Sequence, residues 1–290
     1  MKPCAFTYHR PGTVPDALAL LQAHGAEAKV IAGGQSLGPM LNMRLARPGH
    51  LVDLNDLLEL DYLRPEPGLL EIGAMTRHHR LATAPELANA LPLVATMART
   101  IGHYAIRQRG TIGGSLVHAD PAAQLPLAAV VHDAEMVLHG RDGTRLVPAR
   151  DFLQSIMTVD LAQGEILTAV RFPLPEAGTR WAFELFSRRH GDFAIASVAL
   201  MIRLGGDGRV VALRLGLGGV DSVPIRLGEL EERLCGEKPD SGFRDALATA
   251  AAGAIRPETT AQLPAAYRRD LVQVLVARAL DSALAREVTP

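Results

Sequence analysis

Cysteine is scarce in this sequence. The only two, Cys4 and Cys235, lie far apart and form neither a Cys-x-x-Cys pair nor a Cys/His ligand spacing. This argues against a disulfide framework, and against a zinc or iron–sulfur site held by this chain alone. Any redox chemistry must therefore depend on a non-covalently bound organic cofactor.

The sequence also lacks an excess of charge of either sign and a long apolar run. Its 30 Lys and Arg residues balance 31 Asp and Glu residues, so we expect neither nucleic acid nor an anionic membrane as a partner. No apolar run approaches the roughly 20 residues that a membrane span needs. Residues 1–6 lack the apolar core of a secretory signal, and the expected location is the cytoplasm.

What the sequence does have is length enough for two domains, with 290 residues of which 48% are hydrophobic. The best linker candidate is 173–178, where two prolines and a glycine interrupt both helices and central strands. Before it, a small β-α-β unit is predicted up to about residue 55. After it, three strand-like runs precede three helical segments, which indicates an α+β arrangement.

Two glycine segments are the strongest functional signal. One is Ala32-Gly33-Gly34-Gln35-Ser36, between a predicted buried strand at 29–32 and a predicted short helix at 39–45. The other is Thr111-Ile112-Gly113-Gly114-Ser115, read as a second glycine turn. Adjacent glycines let backbone N–H groups approach an anion closely, so the two turns could hold the two ends of one diphosphate.

A single Gly-Gly pair is more often an ordinary tight turn, and this alternative stands for each segment taken alone. Neither segment is a Rossmann fingerprint, because G-x-G-x-x-G is absent, and neither carries a P-loop lysine. Their recurrence in one chain favours a shared ligand.

Other polar and aromatic residues are weaker candidates. For His118 and Asp120, structural hydrogen bonding in a loop is favoured over an acid/base pair or metal ligands. His78 and His79 are predicted at a solvated helix start. Phe193 is either a core strand residue or an aromatic plane that covers a flat ring.

Three further runs complete a family pattern: Ile106-Arg107-Gln108-Arg109-Gly110 before the second turn, His118-Ala119-Asp120-Pro121 after it, and Arg189-His190-Gly191-Asp192-Phe193. With both glycine segments, the chain resembles the FAD-binding medium subunit of the molybdenum hydroxylases, as in carbon monoxide dehydrogenase and xanthine dehydrogenase. The resemblance covers nearly the whole chain. It implies an α+β protein: an FAD-binding domain of the vanillyl-alcohol-oxidase type at 1–175, with subdomains at about 1–55 and 56–175, and a C-terminal domain at 176–290 with a small antiparallel sheet and helices.

The resemblance also implies which residues bind FAD. The glycine segments would wrap the pyrophosphate and the ribityl chain, and apolar side chains would pack along the flat rings. Phe193 stands where relatives often carry Tyr or Trp, and Gln124 stands where several carry Asp or Glu. The full implied set is Lys29, Val30, Ile31, Ala32, Gly33, Gly34, Gln35, Ser36, Ile101, Thr111, Gly113, Gly114, Ser115, Gln124, Ile166, Leu167 and Phe193.

The function implied is electron transfer. Electrons would pass from two-iron two-sulfur clusters of a small subunit to FAD on this chain and then to an external acceptor, while a large molybdopterin subunit hydroxylates the substrate. A dimer of heterotrimers is expected, with no catalytic residue and no metal on this chain. A non-redox nucleotide-binding or assembly module is the alternative, and a self-contained flavin oxidase is a third.

Overall fold

The computed structural model describes residues 2–257 and 263–286. The chain begins with a parallel three-stranded sheet of order β1-β3-β2, and it contains the predicted β-α-β unit. Thr13 followed by Pro15 predicts the start of a helix, and the structure confirms it. Thr13 Oγ1 accepts a hydrogen bond from Asp16 N, and Pro15 lies in the first turn of α1. The elements are β1 (Thr7–His9), α1 (Val14–His24), β2 (Ala28–Ile31), α2 (Leu37–Asn42) and β3 (His50–Asp53).

Strand β2 departs from the prediction, because it is only partly buried. It is an edge strand of its sheet, so one side has no neighbouring strand. Helix α2 begins at Leu37, two residues earlier than predicted, and Pro39 lies in its first turn, where a missing N–H costs little.

The middle of the chain forms an antiparallel five-stranded sheet of order β4-β5-β10-β6-β7, packed against a set of short helices. The Ala- and Leu-rich run over 85–100 predicts a single helix. The structure instead has two helices divided at Pro92, since proline cannot continue the backbone hydrogen bonds. The elements are β4 (Leu63–Glu66), β5 (Leu69–Gly73), α3 (His78–Thr83), α4 (Pro85–Ala90), α5 (Pro92–Arg99), α6 (Tyr104–Arg109), α7 (Ile112–His118), α8 (Gln124–Val131), β6 (Glu135–Gly140), β7 (Gly143–Pro148), α9 (Ala149–Phe152), β8 (Leu153–Ser155), β9 (Thr158–Val159) and β10 (Ile166–Pro173).

The last part is an antiparallel four-stranded sheet covered by helices, with its own hydrophobic cluster. The predicted sequence of strands followed by helices is confirmed. The elements are β11 (Arg180–Phe186), β12 (Ala196–Leu204), β13 (Val210–Gly218), β14 (Ile225–Arg226), α10 (Gly228–Leu234), α11 (Ser241–Ala254) and α12 (Ala265–Leu284).

Helix α8 joins the last sheet to the middle of the chain. Gly216 of β13 lies so close to α8 that a Cβ there would overlap the Val131 side chain. Arg226 of β14 reaches back to Asp133 at 2.6 Å and pairs with Glu231 at 2.7 Å. Backbone contact and ion pairs therefore fix the last sheet against α8.

No helix among the described residues is long and apolar enough to cross a membrane.

Candidate cofactor-binding site

A cavity of about 440 Å³ opens where the end of β2, the start of α7 and the start of β10 meet. The loop between β11 and β12 closes one side of it with Gly191, Asp192 and Phe193. Every residue that the sequence suggested for FAD lines this cavity except Ile31. The Ile31 carbonyl instead accepts a hydrogen bond from Leu54 N at 3.0 Å, which ties β2 to the chain after β3.

The first glycine segment presents free backbone donors to the cavity. Within the described part of the chain, the N–H groups of 33–36 donate to no protein acceptor. Gly34 has a φ of +70°, which glycine adopts without strain. The Gln35 side chain folds back to donate to Gly33 O at 2.9 Å. Four successive N–H groups without protein partners in residues that line the cavity can supply donors to an anion.

Gly33 has a second role that the sequence did not reveal. A Cβ at this position would overlap the backbone carbonyl of Arg109, just before the second glycine segment. The absence of a side chain thus lets the two segments pack backbone to backbone.

The second glycine segment is not a turn, and that prediction was wrong. It is the first turn of α7, with Thr111 as the N-cap residue and its Oγ1 accepting from Gly114 N at 3.1 Å. Ile112 N donates to Thr76 O at 3.0 Å, and Gly113 N donates to Ala74 O at 2.8 Å. These donors are already used within the protein, so the segment offers a side-chain-free wall and a helix N-terminus rather than a second set of free N–H groups.

Asn55 and Arg77 connect the two segments. Asn55 Nδ2 donates to Ala32 O at 2.9 Å, and Arg77 donates to Asn55 Oδ1 at 2.7 Å and also to Arg109 O. Burial lowers the pKa of Arg77 from its usual value. Sequence reasoning missed both residues, because the only local signal was their position after β3 and before α3.

His78 was predicted at a solvated helix start, and the structure corrects this. It does begin α3, but its side chain is buried, and Nε2 donates to Thr111 O at 2.9 Å. Burial lowers its pKa to about 4, so the ring is neutral near pH 7. The ring also faces Gly110, where a Cβ would lie 2.7 Å from Nδ1. A neutral, buried histidine therefore holds Thr111, the N-cap residue of α7, through a hydrogen bond to its carbonyl.

The remaining predicted residues form the walls. Gln124, Ile166 and Leu167 are buried in the cavity floor. Phe193 lies in a loop and is 61% exposed, which excludes the core strand reading and leaves its ring at the cavity mouth. Apolar lining residues outside the predicted FAD-binding set include Met40, Leu54, Ala74, Met75, Ile106 and Leu161.

His118 and Asp120 also line the cavity. Asp120 Oδ1 accepts a hydrogen bond from Ala122 N at 2.8 Å, which confirms the structural reading for the carboxylate. Oriented donors at one end and apolar walls at the other suit a ligand with an anionic group and flat rings.

Two family models match the chain. The model for the FAD binding domain in molybdopterin dehydrogenase covers residues 4–175, and the CO dehydrogenase flavoprotein C-terminal domain covers 181–283. The chain belongs to this flavoprotein family. FAD is its cofactor, and the family's members are oxidoreductases.

Curated relatives align over nearly the full length. The 6-hydroxypseudooxynicotine dehydrogenase complex subunit alpha of Paenarthrobacter nicotinovorans is 39% identical over 286 residues, which are 99% of this chain and 97% of the relative. The carbon monoxide dehydrogenase medium chain of Afipia carboxidovorans is 37% identical over 286 residues, which are 99% of both chains.

Solved structures agree in fold. Carbon monoxide dehydrogenase from Hydrogenophaga pseudoflava superposes with a TM-score of 0.95 at 37% identity, over 98% of this chain and 99% of that chain. Quinoline 2-oxidoreductase from Pseudomonas putida 86 gives a TM-score of 0.93 at 34% identity, over 98% of both chains. The flavoprotein thus shares both the family's sequence pattern and its architecture.

The residues that line the cavity fit FAD. The unpartnered N–H groups of 33–36 supply donors for a diphosphate, and Gly113 and Gly114 of α7 line the same cavity.

Proposed function

We propose that this flavoprotein is the electron-transfer subunit of a molybdenum hydroxylase, taking electrons from iron–sulfur clusters of a partner and passing them to an external acceptor. The observation that carries the proposal is the cavity at the first glycine segment, with its unused N–H groups and apolar walls. FAD, when bound, supplies the redox chemistry, so the chain's own contribution is position and environment.

Each part of the cavity has an assigned task in this proposal. The N–H groups of 33–36 hold the diphosphate, and Thr111 to Ser115 pack beside it without a side-chain barrier at the glycines. Ile101, Ile166 and Leu167 exclude water from the rings, and Phe193 covers one face at the mouth. Lys29, Val30 and Gln124 complete the lining, and Ile31 holds β2 in place through its carbonyl.

The proposed partners are an iron–sulfur small subunit and a large subunit with the molybdenum cofactor, assembled as a dimer of heterotrimers. Relatives support this through their names, which include a medium chain and a subunit of a complex. Phe193, which lines the cavity and is 61% exposed, and Tyr104, which begins α6 and is 63% exposed, suit a partner surface. We assign residues 1–175 to the FAD domain and 176–290 to the C-terminal domain.

The test is a calorimetric titration of the flavin-free chain with FAD and, separately, with ADP. We expect one FAD per chain, bound more tightly than ADP because the ring walls add contacts. Equal affinity for both would favour the alternative, a nucleotide-binding module without a redox role. In the assembled complex, addition of the oxidisable substrate should bleach the flavin absorbance, and an unchanged flavin spectrum would contradict electron transfer.

A further inference from the structure

Three histidines from separate elements meet outside the cofactor cavity. His9 ends β1, His24 ends α1 and His50 begins β3. Strands β1 and β3 are parallel neighbours in which His9 pairs with Val52, so His9 and His50 lie two positions apart on one face of the sheet. None of the three lines the cavity.

Their side chains are in direct contact. His9 Nε2 and His50 Nδ1 are 2.9 Å apart, and the His24 and His50 rings stack with centroids separated by 3.6 Å. The His9 ring stacks at 5.1 Å from His24 and 5.2 Å from His50. All three are partly buried, and one ring nitrogen from each lies within 4.8 Å of the other two.

The distances show what a metal site would require. Zinc–imidazole bonds are about 2.0–2.1 Å long, so two nitrogens on one tetrahedral ion lie about 3.4 Å apart. The nitrogens of His9 and His50, hydrogen-bonded at 2.9 Å, must separate slightly to reach this spacing. The rings of His24 and His50 are stacked with their planes 11° apart, so the His24 ring must turn about its Cβ–Cγ bond for its nitrogen to converge with the others.

The surroundings suit a cation as well. Glu27, three residues after His24, acts electrostatically on that histidine. Its carboxylate also lies beside Gly49, with Oε2 3.4 Å from the place a Cβ would occupy there. A carboxylate near three imidazoles can balance the charge of a divalent ion or orient a water ligand.

We infer that His9, His24 and His50 bind one Zn²⁺ ion, with water or Glu27 in the fourth position. Borderline-soft Zn²⁺ accepts three imidazoles and one oxygen in tetrahedral geometry. The ion would clamp the end of α1 to two strands of the first sheet. The site is structural, since it lies apart from the cavity.

The test uses the full flavin-loaded chain, freed of metal by a chelator and titrated with ZnCl₂ near neutral pH. Variants His24→Gln and His50→Gln each remove one ligand. His139→Gln is the matched control, because His139 is also partly buried but pairs with Thr144 in a hairpin away from the cluster. Flavin content and circular dichroism verify that each variant is folded.

We expect the wild type and His139→Gln to take up one Zn²⁺ per chain, and both cluster variants to bind at least about tenfold more weakly. Zn²⁺ should raise the Tm of the wild type but not of the cluster variants, because the ion binds only the folded chain. X-ray absorption at the zinc edge should report imidazole ligands. Absence of uptake by the wild type, or equal affinity in all variants, would overturn the proposal and leave a stack of metal-free imidazoles.

Discussion

Gly33 is the residue at which the smallest change should have the largest effect on FAD. In Gly33→Ala the new Cβ would overlap the Arg109 carbonyl, so the two glycine segments must move apart. Such overpacking costs about 1–3 kcal/mol, and we expect FAD affinity to fall by about tenfold or more. Flavin fluorescence titration measures the change.

Gly38→Ala is the matched control for this substitution. Gly38 lies in α2, five residues further along, and a Cβ placed there would meet no neighbouring atom of the described residues within 4 Å. Alanine in a helix is more favourable than glycine by roughly 0.5–1 kcal/mol, so this variant should retain FAD and gain slight stability. Equal flavin loss in both variants would contradict the role of Gly33.

Buried histidines make stability depend on pH. Burial lowers the pKa of His132, like that of His78, to about 4, whereas an unfolded histidine titrates near 6.5. Between these values the unfolded chain binds more protons, so stability is complete above about pH 6.5 and falls as the pH decreases towards 4. Each group contributes about 2 kcal/mol of this loss at pH 5.

His132→Leu should therefore flatten the pH dependence of unfolding. Urea denaturation near pH 7.5 and near pH 5 gives the difference, which should shrink by about 2 kcal/mol relative to wild type. The control His139→Gln should leave the difference unchanged. The comparison concerns the slope with pH, so a general stability change in the variant does not affect it.

At the residue scale, the sequence predicted which residues line the cavity but not always the distant contacts that make those residues necessary. Gly33 and Gly34 stand out in the sequence, and both line the cavity. That Gly33 packs on Arg109 depends on a contact between residues 76 positions apart, which no local pattern contains. The prediction that His78 is solvated was wrong for the same reason, since the Thr111 carbonyl that accepts its hydrogen bond is 33 residues away.

Among the elements, α7 shows where local propensity fails. Two glycines disfavour a helix, and Gly113-Gly114 was read as a turn. Tertiary contacts outweigh this, because the N-cap Thr111 and the carbonyls of Ala74 and Thr76 satisfy the first donors of the helix. Glycine is needed at Gly113 because a Cβ would lie 2.7 Å from the Ala74 side chain.

The hydrogen bond between Arg77 and Asn55 should make the effects of substituting these two residues on FAD affinity depend on each other. Each single change to alanine breaks the same chain of hydrogen bonds from Ala32 to Arg109. We expect the double variant to lose less FAD affinity than the sum of the single losses, with a coupling of about 1 kcal/mol. A double-mutant cycle on FAD binding measures it.

Arg80→Ala supplies the control cycle. Arg80 lies in α3, three residues after Arg77, but its side chain pairs with Asp61 at 3.0 Å rather than with Asn55. Its effect should add to that of Asn55→Ala. Additivity in the Arg77 cycle as well would show that the two segments are held independently.

On the scale of the whole molecule, stability depends on the contact between α8 and the last sheet. Gly216→Ala would drive a methyl group into Val131 and Leu127, so we expect unfolding free energy to fall by about 1–3 kcal/mol. Urea denaturation checks this. Gly206 lies in the turn before β13, where a Cβ would meet nothing within 4 Å in the part of the chain that the structure describes. Gly206→Ala should therefore change stability by less than about 0.5 kcal/mol.

The order of strands and helices was predictable at this scale, whereas their assembly was not. Periodicity and prolines located the three strands after the linker and the helices that follow. Contacts such as Arg226 with Asp133, 93 residues apart, depend on how the sheets dock. The resemblance to a known flavoprotein family implied the fold class, and the family comparisons confirm that fold class.

The loop that carries Phe193 to the cavity has a consequence for biosynthesis. It is anchored by Ile195 N, which donates to Phe186 O at 2.8 Å, and by the pairing of β11 with β12 and β12 with β13. During synthesis, residues 32–36 and 111–115 emerge from the ribosome long before β13. The nascent chain therefore carries both glycine segments before Phe193 is in place. Phe193 therefore takes its place at the cavity mouth only after β12 and β13 have been translated, which makes the final form of the site a late step in maturation.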